Sequence, residues 1–383
     1  QQPGFEAAWR EQRRQRLGVA PKREARAASE AIATGLALNA INGHLARAGD
    51  PVVEGLFVQQ RRRPAGVQGA RTREGAVSKP QETTSAMNTA PGSVTLNGVT
   101  IDDTFAEAFP MKATRVLITA HNETWARNAA VSMTGFATSV IACGCEAGIE
   151  RMLGADETPD GRPGASVLLF SMSGKELAKQ LERRVGQCVL TCPTTAIYAG
   201  LDEGEAIALG RNLRFFGDGW QISKMIDGKR YWRVPVMDGE FVAQETTALV
   251  KAVGGGNLLL LARDTDAALA GAEAAVEAMR AVQGTIMPFP GGVVRSGSKV
   301  GSKYASLPAS TNDAFCPALT PLAKYSELDA DTRCVMEIVI DGLTEADVAA
   351  SMRAGIAAIV ARGGAAGVTR ISAGNYGGKL GPF

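Results

Sequence analysis

Residues 113–143 read ATRVLITAHNETWARNAAVSMTGFATSVIAC, and their pattern decides the architecture. The run ATRVLITA (113–120) is apolar and rich in β-branched residues, which suits a buried strand. Asn122 follows as a helix cap, and Trp125, Ala129 and Met133 are spaced to share one face of a helix starting near Glu123. TSVIAC (138–143) predicts a second strand, and ASVLLFSM (165–172) a third, with the turn-rich ETPDGRPG (157–164) between them. Ser173 and Glu176 have the spacing of a capping box, and Leu177, Leu181, Val185 and Val189 mark the buried stripe of the helix they open.

The same order returns further along. LVKAVGGGNLLLLA (249–262) reads as a strand, and a helix from Asp266 aligns Leu269, Ala272, Val276 and Met279. Strands are predicted around GGVVRS (291–296) and at CVMEIVI (334–340). Thr344, with Asp347 three residues on, caps a last helix whose Val348, Met352, Ile356 and Ile359 face one way, and VTRISAGN (368–375) closes as a strand. Strand-helix-strand-strand-helix-strand is the ferredoxin-like order. The expected fold class is α+β: two ferredoxin-like (βαββαβ) lobes, at residues 87–240 and 241–383, forming one core.

Residues 1–86 have a different character. They carry 14 Lys and Arg against 8 Asp and Glu, whereas the remainder carries 27 against 31, so a basic arm precedes a mildly acidic core. Residues 23–48 are rich enough in Ala and Leu for a helix, and the Gly-, Pro-, Ser- and Thr-rich piece from Arg63 to Ala86 suits a linker. Met87 is a candidate start for a separate core protein. A basic arm is a candidate nucleic-acid contact, but a solvated tail, subunit clip or fusion remnant is the plainer reading. No apolar run approaches the roughly 20 residues of a membrane span, and the start lacks the apolar core of a secretory signal. Cys143, Cys145, Cys188, Cys192, Cys316 and Cys334 are sparse and lie in apolar surroundings, as reduced thiols do. A cytoplasmic protein without membrane attachment is expected.

Several catalytic engines are disfavoured. Only His44 and His121 are present, and His44 lies in the arm, so a histidine-based triad would have to use His121. Cys143/Cys145 and Cys188/Cys192 lack a partnering pair at zinc-site spacing, and no metal is expected. GVVRSGSK (292–299) misplaces the lysine of a phosphate-binding loop by one residue. Glycine clusters at strand ends are unusual: Gly254–Gly256, Gly291 with Gly292, and Gly374, Gly377 and Gly378. They read as turns or as a close approach by a ligand. Glu337 interrupts an apolar strand. Buried there, a carboxyl resists ionising and stays a proton donor near neutral pH; at an edge, it would face water or pair with an arginine such as Arg370.

At this level of detail the sequence resembles the formylmethanofuran:tetrahydromethanopterin formyltransferase family. The resemblance runs from Val94 to Gly381, through TGFATSVIA (134–142), GQCVLTCPT (186–194), FFGDG (215–219), PFPGGVVRSGSKVGSK (288–303), LPASTNDAFCP (307–317), EIVIDGL (337–343) and ISAGNYGGKLG (371–381). It implies two similar α+β lobes, a homotetramer, an active site at a subunit interface, and no tightly bound cofactor. The substrates it implies are methanofuran-type and tetrahydromethanopterin carriers. The family's proposed catalytic acid opens the EIVI(N/D)G strand, which is Glu337 here. On the same basis Gly291, Gly292, Ser298, Asn375 and Gly377 are candidates to line the cleft, and Arg295, Lys299 and Lys303 to meet carrier carboxylates or else to be solvated surface groups, with Asp218 only a turn residue. The arm is not part of the family pattern, and the chain stops at Phe383, short of the usual tail. The near-balanced charge suggests the bacterial, methylotroph-type branch, in which the enzyme resembles a subunit of a formyltransferase/hydrolase complex that helps turn formaldehyde-derived carbon into formate. The alternatives are a non-catalytic assembly subunit of such a complex and, more remotely, a nucleic-acid-binding protein.

Overall fold

The computed structural model describes residues 92–307, 309–375 and 381; the arm at 1–86 and Gly377 lie outside them. Lobe 1 comprises β1 (Phe109–Thr119), α1 (Glu123–Thr134), β2 (Glu146–Leu153), β3 (Gly164–Ser171), α2 (Gly174–Arg184) and β4 (Ala196–Ala199). β1 pairs antiparallel with β3 and β4, and β3 with β2. That spatial order, β4-β1-β3-β2, is the ferredoxin-like sheet expected from the strand-helix alternation. Three further strands widen it: β5 (Ile222–Ile226), β6 (Lys229–Val236) and β7 (Gly239–Gln244), the last parallel to β4.

Lobe 2 repeats the plan with β8 (Thr246–Ala262), α3 (Thr265–Arg280), β9 (Thr285–Ile286), β10 (Cys334–Gly342), α4 (Glu345–Arg362) and β11 (Val368–Ser372). Its order is β11-β8-β10-β9, all antiparallel. β8 is 17 residues long and serves both lobes. Val250–Gly254 pair with β1, and Gly256–Ala262 pair with β10. The partner changes at a bulge where Gly255 adopts φ +85, and a side chain on Gly254 would collide with the Met111 sulfur. Here glycine permits the left-handed backbone that a bulge requires.

Each pair of helices covers one face of its sheet. In lobe 1 Met133, Leu177, Leu181, Val185 and Val189 pack on Val116, Ile118, Val167 and Leu169. In lobe 2 Ala272, Val276, Met279 and Ile359 pack on Leu258, Leu260, Ile338 and Ile340. Each such leucine or isoleucine, fully withdrawn from water, contributes on the order of 1.5–3 kcal/mol. The lobes meet through Met111, Leu168 and Phe170 of lobe 1 and Ile286 of lobe 2.

The helix caps match the sequence. Asn122, Ser173 and Thr344 each accept a backbone N–H, and Thr344 with Asp347 completes a reciprocal box. Three expectations need correction. TSVIAC is not a strand: the Ser139 hydroxyl caps a short helix at Val140–Cys143, Gly144 at φ +77 ends it, and β2 starts only at Glu146. GGVVRS is not a strand either, because Gly291 and Gly292 both take positive φ in a turn, and only Val294 bridges to β10. Trp125 and Leu269, 38% and 42% exposed, sit one residue round from the buried stripes. Small Ala and Gly residues occupy those stripes and let the helices approach the sheet closely.

Candidate active site

Side chains alternate along β10. Ile338 and Ile340 face the helices, and Glu337 lies opposite Leu259 on β8. Leu259 and Leu261 cluster with Val335, Phe315 and Leu328 on the other face, so Glu337 projects away from the helices. Residues 287–307 and 309–333, which among the described residues form no long helix or strand, cover that face. They are tied down where Val294 and Glu337 exchange backbone hydrogen bonds of 2.7 and 2.9 Å.

The half-buried Glu337 side chain enters a cleft of about 150 Å³, whose walls include Leu259, Val294, Arg295, Asn312, Phe315 and Cys316. Its carboxyl has no hydrogen bond or ion pair among the described residues. Burial without compensation pushes its pKa up from 4.5 to about 7, so the acid keeps a large share of its proton at neutrality. The alternative of a pair with Arg370 does not hold. Arg370 is buried against Asp102 at 2.8 Å and donates to the Glu327 carbonyl at 2.9 Å.

Other buried carboxyls behave differently. Burial alone would raise Glu150, but Arg115, Ser166 and the Gly284 N–H hold it below the usual range and staple β2 to lobe 2. Glu146 of lobe 1 and Asp341 of lobe 2 form a buried acid pair. Desolvation raises both, and the proximity of Glu146 raises Asp341 further. This pair is part of the lobe junction and lies outside the Glu337 cleft.

Of the sequence-predicted binding residues, the structure brings Arg295 beside Glu337 as part of the cleft wall. Gly292 is buried against Val276 and Met287 as a turn residue, and Gly291 is exposed on the same turn. Ser298 and Lys299 belong to a small hairpin formed by Ser298–Val300 and Ala309–Thr311, where Lys299 pairs with Asp313. Lys303 and Asn375 are exposed, and neither is among the wall residues. Thr311, Asn312, Phe315 and Cys316 also reach the cleft, though nothing in the sequence pattern separates them from their neighbours. Their one signal is the cluster of polar residues in ASTNDAF, a stretch without helical or strand period. His121 is exposed at the end of β1 in the other lobe, and its N–H donates to Thr194.

Fold and cleft together define a two-lobed α+β protein that holds a sheltered carboxylic acid, still partly protonated at neutrality, at the wall of a cleft. Similarity to known proteins carries the identification further. The sequence profile described as formylmethanofuran-tetrahydromethanopterin formyltransferase matches residues 94–236, and that of the family's proximal lobe matches 239–383. A relative from Methylococcus capsulatus, named formylmethanofuran–tetrahydromethanopterin formyltransferase, is 69% identical over 288 residues, covering 75% of this chain and 96% of its own length. A subunit of the formyltransferase/hydrolase complex of Methylorubrum extorquens is 53% identical over 293 residues, covering 75% and 94%. Among solved structures, the formyltransferase/hydrolase complex of Methylorubrum extorquens with methylofuran superposes at TM-score 0.74 and 51% identity, covering 76% of this chain and 96% of that one. The Methanosarcina barkeri formyltransferase gives 0.72 and 48%, covering 76% and 97%. The chain belongs to the formylmethanofuran–tetrahydromethanopterin formyltransferase family. It is a formyltransferase, and the assembly-subunit alternative gives way to that reading.

Proposed function

We propose that this formyltransferase moves its formyl group directly between a methanofuran-type amine and tetrahydromethanopterin in a ternary complex, with Glu337 as the general acid. The observation that carries the proposal is an unpartnered carboxyl held near pKa 7 at the wall of a cleft. A formyl group on an amine is a resonance-stabilised formamide. The acceptor amine attacks its carbon, a tetrahedral intermediate forms, and the first carbon–nitrogen bond breaks. The departing amine must gain a proton, because an amide anion is a very poor leaving group, and the acceptor loses one, so the transfer consumes no net proton. Glu337 supplies the proton, and holding both carriers in line supplies much of the remaining acceleration. Arg295, without an ion pair among the described residues, suits a carrier carboxylate. Neither a covalent intermediate nor a tightly bound cofactor is needed.

The cleft is smaller than the roughly 300–1,000 Å³ typical of ligand pockets. That supports completion by a second copy in a homotetramer. The β5–β6 region adds to the support, because Trp220, Ile222, Met225 and Ile226 all project there exposed. The relative named as a formyltransferase/hydrolase complex subunit supports a place in such a complex; a cytoplasmic setting on a route from formaldehyde to formate is part of the same proposal. Among the described residues, no helix is long and apolar enough to cross a membrane. The test is formyl exchange between the two carriers by the protein and by Glu337→Gln. A fall of about 10²–10⁴-fold in kcat is expected for the variant; unchanged turnover removes Glu337 from the chemistry. Light scattering of the purified chain reads the oligomeric state.

A further inference from the structure

Where β8 passes from lobe 1 to lobe 2, at the bulge between Val253 and Gly256, a buried pair of acids sits against it. Glu146 comes from β2 of lobe 1 and Asp341 from β10 of lobe 2, and they are only 6% and 0% exposed. Their surroundings are alike. One oxygen of each meets a backbone N–H: Val140 donates to Glu146 at 3.1 Å, and Gly255, in the bulge itself, to Asp341 at 3.4 Å. The second oxygen of each, Glu146 Oε2 and Asp341 Oδ2, is buried with no donor from the described residues. Nor does a lysine or arginine among them pair with either carboxyl. Cys145, with Cys143 near it, adjoins Glu146, and burial pushes its thiol up to about 11, so it brings no charge. Arg184 of α2 is engaged by Cys145 and by the carbonyls of Met133, Gly135 and Phe136. Further along β2, Glu150 is matched by Arg115, and Asp347 of α4 is held in the cap with Thr344. β9 sets Ile286 opposite Asp341, and β1 brings Met111 beside it.

An ionised carboxylate only accepts hydrogen bonds. Two such groups left facing each other in the interior would each carry the desolvation of a charge and repel as well. One proton removes the difficulty, because a carboxylic acid donates where a carboxylate accepts. We propose that Asp341 holds that proton and donates it in a hydrogen bond to Glu146 Oε2, so that a single shared proton clasps lobe 1 to lobe 2 across the bulge of β8. The clasp is a pH-sensitive lock. Burial and the charge of Glu146 favour the neutral form of Asp341, and the hydrogen bond between the two side chains supports the charge of Glu146. Above the ordinary carboxylate range the unfolded chain has shed this proton while the fold keeps it. The junction therefore weakens as rising pH draws the proton off to solvent. Two charges then face each other where three glycines interrupt the shared strand. The lock lies outside the Glu337 cleft and does not depend on the formyl-transfer reading.

The test is infrared spectroscopy of the full chain carrying Glu337→Gln, which takes the other partly protonated acid out of the spectrum. Asp341→Asn and Glu146→Gln are then added singly. A neutral carboxylic acid has a C=O stretch above the amide band. At pH ~6, about two units above the ordinary aspartate value of ~4, that band is expected in the background protein and absent from Asp341→Asn. With Glu146→Gln it should remain and move to higher frequency, since an amide oxygen accepts a weaker hydrogen bond than a carboxylate. Hydrogen exchange at Val253–Gly256 reads the lock itself. Asparagine can donate an N–H to Glu146 without titrating, so the exchange rate of the background protein relative to Asp341→Asn should climb with pH, by up to about tenfold per unit. Absence of the acid band overturns the clasp. So does a band that survives Asp341→Asn, or one that Glu146→Gln leaves at the same frequency, which would mark a buried acid with no partner. An exchange ratio constant with pH overturns the lock. Should Asp341→Asn fail to fold, the band position in Glu146→Gln alone decides.

Discussion

Replacing Glu337 with glutamine is expected to remove the proton donor and, above neutral pH, to make the protein more stable. The cause is burial alone, which raises the carboxyl from 4.5 to about 7. Below pH 4.5 it is protonated in both folded and unfolded chains, and glutamine has no electrostatic advantage. Between 4.5 and 7 the unfolded chain sheds the proton while the fold retains it, so wild-type stability falls as pH rises. Above 7 both states are ionised and the fall ends. At 1.36 kcal/mol per pH unit the span amounts to ~3 kcal/mol, an upper bound that solvent at the cleft mouth reduces. Glutamine is neutral throughout and escapes this loss. Urea unfolding of both proteins at pH 4.5 and pH 8.5 gives the comparison through midpoint and slope. The variant's advantage should be larger at pH 8.5 by about 2–3 kcal/mol. An advantage equal at the two pH values would mean that the carboxyl is not held protonated by its surroundings, and the argument for its acidity would fail.

Other outcomes follow from the same structure. The rate of formyl exchange should fall on the alkaline side with an apparent pKa of about 7, the protonated acid being the active form; a profile flat from pH 6 to 9 would contradict this. Asp341→Asn removes one carboxyl of the buried pair with Glu146. Since both members bind protons more tightly in the fold, the parent loses stability as pH rises above the ordinary carboxylate range, and the variant's melting temperature should decline less over that rise. Arg370→Met leaves Asp102 buried without its partner and should cost about 3–5 kcal/mol in urea unfolding, whereas a loss below 1 kcal/mol would show the pair to be solvated. Leu181→Ala, at a fully buried position of α2, should cost about 2–5 kcal/mol by the same measurement.

What could be read in the sequence was what repeats at short range. Alternation of periods marks both βαββαβ units, and the caps at Asn122, Ser173 and Thr344 lie where residue type places them. Glu337 is visible because it breaks an apolar strand, and its side-chain direction follows from period two. What escapes depends on contacts distant along the chain. TSVIAC has the β-branched content of a strand, but Ser139 and Gly144 close it into a helical turn before Cys145 is buried beneath lobe 1. The partnership of Glu146 with Asp341 exists only because two lobes meet. The insertion that brings Asn312 and Arg295 to the cleft has no periodicity to read, since its order comes from the bridge at Val294 and the hairpin at Ser298–Val300.

The strand from Thr246 to Ala262 has a mechanical meaning. It is a single beam laid through both halves, interrupted between them by the glycine bulge at Gly254–Gly256. Cutting the chain there would leave each fragment with a bare row of peptide groups along its freshest edge, and neither piece would be soluble company for the other. Two halves that share one beam are expected to come apart together, as one transition in a heat scan.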